Sequence, residues 1–370
     1  MASPRNIAAR ALAVAAGCCA VGTASLLVLG VRGLGRTSER FAGLPFLDMW
    51  VRWDAGWYQG IATDGYHFSA SQQSSVAFFP VYPMLIRAAT VLGADPFLAG
   101  IALTLVFGVA AAVLFADWAR GRAGSEAARA ATWGLLLWPF AFFLYGAVYS
   151  DALFLALIVG AFGCLERGKV RTATLLGALA AATRPVAPAV VVGLLVRKLE
   201  LRRRAGEPIR LRDFTPALSA GGLLAYMALL TVRFGDPFAF LHTQAGWGQA
   251  TGAEALLKLP FLRSVTDVSE LGLPAVHLAL LLLLLALAVP MRRMLGWGYT
   301  AYVGVALSIP LVTSRDFIGL GRYALAAFPS FLVLALLLRD RPKLWRAWLV
   351  VSAALLVVMT SKFAVGRYVS

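Results

Sequence analysis

The sequence is short of charge, of acids and of histidine. Only 14% of its 370 residues are charged, and 18 acidic residues stand against 34 basic residues and three histidines. With 60% hydrophobic residues and a mean hydropathy of +0.77, the chain does not have the composition of a soluble globular protein. The composition therefore predicts a polytopic membrane protein.

Cysteine is also scarce, and familiar catalytic motifs are missing. The three cysteines, Cys18, Cys19 and Cys164, lie in apolar stretches without metal-ligand spacing, which excludes a disulfide framework and a zinc site. The sequence contains no Walker motif, GxGxxG, HExxH, GxSxG or CxxC pattern. We therefore expect no metal ligands and no cofactor, with the metal requirement left open.

The net charge of +16 is carried by short basic clusters between apolar runs. Bases in this position set the topology of membrane spans and do not indicate nucleic-acid binding. The amino terminus is predicted to lie in the cytoplasm. The composition, rich in Ala, Gly and Arg, suggests a bacterial plasma membrane.

Eleven crossings are predicted, within a single transmembrane domain covering residues 1–370. The loops at 35–95 and 233–271 are placed on the extracytoplasmic side, the first with interfacial helices. The spans are Ala11 to Val31, Phe97 to Ala116, Ala130 to Val148, Ala152 to Leu165, Thr172 to Thr183, Pro185 to Val196, Phe214 to Val232, Leu273 to Pro290, Met294 to Thr313, Tyr323 to Leu338 and Leu344 to Thr360.

Two of these spans are too short to cross on their own. Each of the two segments, Thr172 to Thr183 and Pro185 to Val196, covers about 18 Å at roughly 1.5 Å per residue. Basic residues precede the first segment and follow the second, so both of these ends are expected in the cytoplasm. The pattern predicts a shallow hairpin with Arg184 at its turn, at the bottom of a cavity open to the outside.

The first outer loop contains the densest group of aromatic and acidic residues. If Phe46 to Ile61 is one helix, Trp50, Trp53 and Trp57 share a face and Asp54 projects among them. Such a helix is predicted to lie in the membrane interface, with Asp48 and Arg52 turned to water. An acid among indoles costs free energy unless a partner or a substrate compensates. Asp54 is therefore a candidate functional residue, or an aspartate satisfied by backbone or arginine.

Polar residues gather on the predicted outer side. Carboxylates at membrane depth and arginines beside apolar helices suit a lipid whose head carries phosphate and sugar. The candidates are Trp53, Asp54, Trp57, Tyr66, His67, Asp151, Arg184, His242, Gln244, Trp247, Arg322 and Tyr323.

Each candidate also has a structural explanation. Asp151 could cap the helix that it begins, and Arg322 could pair with Asp316. Arg184 could serve only as a topological plug, and His67 and His242 could be hydrogen-bonded loop residues.

The order of motifs resembles the PIG-V-like mannosyltransferases, a branch of the GT-C membrane glycosyltransferases. The motifs are RWDAGWYQGIATDGY and AFFPVYPMLIR, YSDALF, GALAAATRPVAP, GDPFAFLHTQAGWG and GRYALAAFPSFLVLA, from about Phe46 to Leu338. The resemblance implies an all-α GT-C fold and transfer of a sugar from a polyprenyl phosphate at the outer face. His67 stands after Gly65-Tyr66 where many relatives have an acid, which leaves the acceptor open.

The resemblance also implies roles for the candidate residues. Asp54 would be the catalytic base, while Arg322, Tyr323 and Arg184 would bind the donor phosphate. The remaining candidates, Trp53, Trp57, Tyr66, His67, Asp151, His242, Gln244 and Trp247, would bind the sugar or the acceptor. The predicted enzyme is an inverting transferase of mannose or a related hexose to a lipid or a cell-envelope glycan. A lipid flippase and a noncatalytic subunit of a glycosylation complex are the alternatives.

Overall fold

The structure, a computed structural model, describes residues 3–30, 40–41, 43–70, 72–249, 257–258, 261, 272–313, 317 and 319–369. All regular elements in these ranges are helical, so the predicted all-α class is confirmed. The α-helices are α1 (Pro4–Ser25), α2 (Pro45–Asp48), α3 (Ala55–Thr63), α4 (Val81–Val91), α5 (Pro96–Leu136), α6 (Asp151–Glu166), α7 (Val170–Ala181), α8 (Ala187–Arg204), α9 (Gly221–Phe234), α10 (Ala239–His242), α11 (Gly272–Ala286), α12 (Ala288–Met294), α13 (Trp297–Thr313), α14 (Leu320–Ala326), α15 (Pro329–Leu337) and α16 (Pro342–Ala364).

Several of these helices can cross a membrane. Within the described ranges, five are long and apolar enough: Pro4–Leu29, Pro96–Leu136, Leu211–Phe234, Gly272–Met294 and Pro342–Ala364. A sixth candidate consists of α14 and α15, which are bent by 79° at Ala327-Phe328. The polytopic class is confirmed, and the count of eleven crossings stays a prediction.

The predicted boundary between the second and third spans is wrong. Helix α5 continues through the basic segment, and a single residue, Gly124 at φ 81°, interrupts it. A backbone turn of this kind suits glycine, because a side chain rarely adopts positive φ. The predicted loop is therefore only a break between two helical segments.

The predicted crossing Ala130 to Val148 is also wrong. Its helical part ends at Leu136, because Pro139 cannot continue a helix and restricts Trp138 before it. The chain then runs through a short 3₁₀-helix, Ala141–Leu144, in which every residue is buried. Irregular backbone is tolerated at membrane depth where protein covers it.

The chain divides into two compact units. The first unit comprises residues 1–65, 82–159 and 331–369. In its core, the ring of Phe363 from α16 lies 5.0 Å from Phe142 and 5.7 Å from Phe143. The prediction of a single domain stays a prediction.

The second unit comprises residues 66–81 and 160–330. Its helix α8 packs on α13, where the backbone of Arg197 is so close to Gly298 that a Cβ there would overlap it. Arg197 is fully buried and donates to Glu166 at 2.7 and 3.0 Å and to Glu200 at 2.8 Å. Tyr299 donates its hydroxyl to the same Glu166 at 2.6 Å. This network fixes the ends of α6, α8 and α13.

Substituting Gly108 tests the packing of the buried irregular segment. A Cβ on Gly108 would overlap the backbone carbonyl of Leu144, which cannot move aside as a side chain could. We expect Gly108→Ala to cost about 1 to 3 kcal/mol, measured as a lower thermal midpoint in detergent.

Gly121 provides the matched control because it lies in the same helix and has open space around its Cβ position. Gly121→Ala should be neutral or stabilising by up to about 1 kcal/mol. Equal midpoints for the two variants would contradict the close approach of α5 to Leu144.

Candidate functional site: the Trp53-Asp54 turn and the outer loops

The predicted helix from Phe46 to Ile61 is wrong. Helix α2 ends at Asp48, helix α3 begins at Ala55, and a turn separates them. Trp53 within the turn has φ 53°, a left-handed conformation that costs a residue with a side chain roughly 1 to 2 kcal/mol. The contacts that the residues of this turn make with different parts of the chain have to offset this conformational free energy.

The shared tryptophan face is therefore wrong as well. Trp50 is buried, with 3% of its surface exposed, and its ring covers Gly146, where a Cβ would lie 2.8 Å from it. Trp53 is 42% exposed, and its ring packs edge-on against Tyr368 at 5.2 Å. Trp57 is half-buried.

Asp48 and Arg52 were predicted to face water, but both are 4% exposed. The guanidinium of Arg52 lies 3.4 Å from the carboxylate of Asp48 and donates to the carbonyls of Ala364 at 2.8 Å and Val51 at 3.0 Å. Burial lowers the pKa of Arg52, while Asp48 favours its charged form. The prediction was wrong because Asp48 and Arg52 form a buried ion pair and not a solvated helix face.

Asp54 lies at the turn immediately before α3 and is half-buried. It holds the N-cap position, yet its side chain makes no capping hydrogen bond. Its backbone N–H donates to the hydroxyl of Tyr149 at 3.2 Å. The carboxylate is therefore not used to cap the helix, the commonest structural role of an aspartate in this position.

The motif Tyr149-Ser150-Asp151 lies next to this turn. Ser150 Oγ is 2.9 Å from the hydroxyl of Tyr58, whose ring lies 6.4 Å from that of Tyr149. Asp151 begins α6 and is 2% exposed. The structure thus brings the first outer loop and the start of α6 together within the first unit.

In the second unit, Arg184 and Tyr323 are neighbours. Arg184 follows α7 at the turn of the predicted hairpin, is 6% exposed, and its guanidinium lies 5.3 Å from the centre of the Tyr323 ring. Arg322 precedes Tyr323 in α14 and is half-buried. The alternative partner Asp316 lies outside the described residues.

The other candidates of the second unit lie in two outer segments that pack on each other. Trp247 lies 5.5 Å from Phe78, and Thr243 donates to the carbonyl of Gln72 at 2.6 Å. Tyr66 donates its hydroxyl to the carbonyl of Phe78 at 2.8 Å, and the backbone N–H of His67 donates to Ser75 at 2.8 Å.

His242 and Asp236 form an exposed pair in the same region, with Nδ1 and Oδ2 separated by 2.6 Å. This hydrogen bond lowers the pKa of Asp236, and the backbone N–H of Phe238 acts in the same direction. Gln244 donates to the carbonyl of Phe240 at 2.8 Å. His242 and Gln244 are therefore engaged in holding the second outer loop.

The roles assigned to these residues stay predictions. Within the described part of the chain, no group of three His, Cys, Asp or Glu side chains could hold a metal ion. The expectation of no metal ligands and no cofactor is likewise untested.

Comparison with known families bears on these motifs. The model of the family described as Mannosyltransferase (PIG-V) matches residues 44–200. The predicted resemblance is confirmed. The matched region covers the Trp53-Asp54 turn, the Tyr149-Ser150-Asp151 motif and Arg184.

The chain is also similar to a solved structure. ArnT from Cupriavidus metallidurans, solved bound to undecaprenyl phosphate, is 13% identical with a TM-score of 0.47, over 84% of this chain and 69% of that one. No curated protein matches the sequence. The candidates after residue 200, including Arg322 and His242, lie outside the region of PIG-V similarity.

The residues that hold the turn carry one local signal and one that is not local. Asp48 and Arg52 are four residues apart with opposite charges, a spacing that signals an ion pair. Tyr149 begins the motif YSDALF, and its contact with Asp54 depends on the tertiary fold.

Removing the buried carboxylate tests what holds the turn. Asp48→Asn leaves the Arg52 guanidinium buried without its counter-charge, and it weakens acceptance from the N–H groups of Arg40 and Phe41. We expect a loss of about 3 kcal/mol or more, measured as a lower thermal midpoint in detergent.

Asp117→Asn is the matched control because it breaks a partly exposed ion pair with Arg120. That variant should lose about 1 kcal/mol or less. A loss of the same size in both variants would show that the Asp48 pair has no special role.

Proposed function

We propose that this protein is an inverting glycosyltransferase of the GT-C class, acting at the extracytoplasmic face of a bacterial plasma membrane. It transfers mannose or a related hexose from a polyprenyl-phosphate donor to a lipid or a cell-envelope glycan. The observation that carries the proposal is the match to the mannosyltransferase (PIG-V) family across a turn that presents Asp54 without using it as a helix cap.

In the proposed reaction, Asp54 is the base. An acceptor hydroxyl attacks the anomeric carbon from the face opposite the phosphate, and its proton passes to the Asp54 carboxylate. The bond between the anomeric carbon and the phosphate oxygen breaks, and its electron pair leaves with the polyprenyl phosphate. Tyr149 supports this role because its hydroxyl accepts the Asp54 backbone N–H and fixes the turn.

The donor phosphate is assigned to Arg322 and Arg184. Guanidinium groups bind phosphate oxygens through two parallel hydrogen bonds and stabilise the charge that develops on the leaving group. The Tyr323 ring lies 5.3 Å from the Arg184 guanidinium and restricts that side chain. This contact supports the assignment because Tyr323 directly follows Arg322 in the sequence.

Sugar and acceptor are assigned to the remaining outer residues. Trp53 and Trp57 flank Asp54 and offer ring faces for a pyranose, and Asp151 lies beside the same turn. Tyr66, His67 and Trp247 belong to the packed outer segments of the second unit, together with His242 and Gln244.

Asp54→Asn tests the base directly. The amide keeps the shape of the side chain but cannot take a proton, so we expect transfer to fall by at least about 10² fold. The measurement follows radiolabelled mannose from polyprenyl phosphate to a new product in proteoliposomes. Folding is checked by the thermal midpoint, because the free energy of unfolding should stay within about 1 kcal/mol of the wild-type value.

Asp64→Asn is the control because Asp64 ends the same helix and is exposed. It should transfer at the wild-type rate. A near-normal rate in Asp54→Asn would reject the base. In the wild type, labelled donor that changes leaflet without forming a product would support a flippase instead, and neither a product nor a change of leaflet would support a noncatalytic subunit.

Arg322→Gln tests the phosphate contact. Because the guanidinium is proposed to bind the donor in both the ground state and the transition state, we expect KM for the donor to rise and kcat to fall, each by about tenfold. Arg233→Gln, which removes an exposed arginine of α9, should change neither constant. An unchanged KM with Arg322→Gln would remove this residue from the site.

A further inference from the structure

A second site lies in the first unit at the predicted cytoplasmic end. It is a cavity of about 430 Å³ between the segment of α5 that follows Gly124 and the turn joining α15 to α16. This volume is in the range of small-molecule sites and is far larger than a single water molecule requires. None of the residues assigned to the proposed transferase site lines this cavity. Ligand binding in the cavity therefore does not depend on the proposed function.

The walls of the cavity favour an anion. Arg129 of α5 and Arg339 beside the turn both line it, and among the described residues no carboxylate pairs with either. Glu126 is the acidic residue in the lining, and its negative charge offsets one of the two guanidinium charges. The net charge of the lining is therefore positive. Two arginines in one cavity match the oxygens of a phosphate group.

The backbone adds to this preference. Gly124 breaks α5, so a new helical segment starts at Ser125, also in the cavity wall. A helix start directs N–H groups and the positive end of its dipole outward. The basic side chains and the helix start therefore act on the same space.

The remaining wall is aromatic. Trp133 and Trp345 line the cavity, and Trp345 lies over Gly134, where a Cβ would be 3.2 Å from its ring. The guanidinium of Arg10 in α1 lies 5.4 Å from the centre of the Trp133 ring. Indoles beside arginines are typical of the level where headgroups meet acyl chains. The ligand is thus expected to carry an apolar part next to its anionic head.

The position along α5 agrees with that level. From Pro96 to Ala123 the helix covers roughly 42 Å at about 1.5 Å per residue, more than the hydrocarbon thickness of about 30 Å. The cavity begins directly after this segment. A second, smaller cavity reaches Ile7 and Arg10 near the start of α1 and shares Ser125 and Arg129 with the first.

We propose that this cavity binds the phosphate headgroup of an anionic phospholipid, held by Arg129 and Arg339 with its glycerol and acyl carbons against Trp133 and Trp345. The shared chemistry is a phosphate group, and the indoles favour a lipid over free phosphate as its source. Such a site would couple the protein to the anionic lipid content of its membrane.

The test measures lipid retention by native mass spectrometry of the full chain in nonionic detergent, titrated with dioleoylphosphatidylglycerol or dioleoylphosphatidylcholine. The wild type should retain one phosphatidylglycerol much more tightly than phosphatidylcholine. Arg129→Gln combined with Arg339→Gln should weaken phosphatidylglycerol binding by at least about tenfold. Glu126→Gln, which removes the opposing carboxylate, should strengthen it by about two- to fivefold.

Arg341→Gln combined with Arg346→Gln is the matched control. It removes the same charge from the same end of the unit, at exposed residues that do not line the cavity. We expect its affinity to stay within about twofold of the wild type. An equal loss in the two double variants would overturn the cavity site, as would equal retention of the two lipids.

Inorganic phosphate distinguishes the two sources. Millimolar phosphate should neither displace phosphatidylglycerol nor raise the thermal midpoint of lipid-free protein. Displacement, or stabilisation equal to that given by the lipid, would assign the cavity to free phosphate and overturn the lipid assignment. A gain of affinity in Glu126→Gln supports the site independently of any stability lost in the arginine variants.

Discussion

The backbone of a membrane protein must find its hydrogen-bond partners within the chain, and this constraint shapes the first unit. The stretch from Trp138 to Val148 leaves the α-helical pattern while buried. Tyr145 donates its hydroxyl to the carbonyl of Leu136 at 2.6 Å, and the N–H of Val148 donates to the carbonyl of Trp50 at 3.3 Å. The second bond ties this stretch to the turn before α3. Satisfying the backbone therefore also places Tyr149 beside Asp54.

Buried charge follows the same rule in each unit. Arg52 is satisfied by Asp48 and two carbonyls, and Arg197 by Glu166, Glu200 and the carbonyl of Leu295. Such pairs contribute little net stability, but losing one partner is costly. They act here as fixed points, one beside the Trp53-Asp54 turn and one at the opposite end of α6 from Asp151. Asp54 differs from both because it is half-buried and does not cap its helix.

Hydropathy predicted the positions of most long helices because apolar length is a local property. Gly272–Ala286 and Pro342–Ala364 lie close to their predicted spans. The breaks were not predictable in the same way. Continuity of α5 through its basic segment depends on one glycine, and the turn at Trp53 depends on Trp50 and Arg52 being buried against residues far along the chain. Periodicity over Phe46 to Ile61 contains no information about those partners.

The candidate site, like the fold, was predictable only where a local sequence motif contains the information. Motif resemblance singled out Asp54, and the family match covers it, whereas His67 stands where the resemblance implies an acid. The structure gives this departure a physical account. Ser74 and Ser75 are buried and close the segment through the backbone of Ser69 and His67.

Gln72 extends this account to the second outer loop. Its carbonyl accepts from Thr243, and a Cβ on Gly246 would overlap its backbone. Ser74 and Ser75 through their side chains, and Gln72 through its backbone, thus hold the surface on which the second outer loop packs.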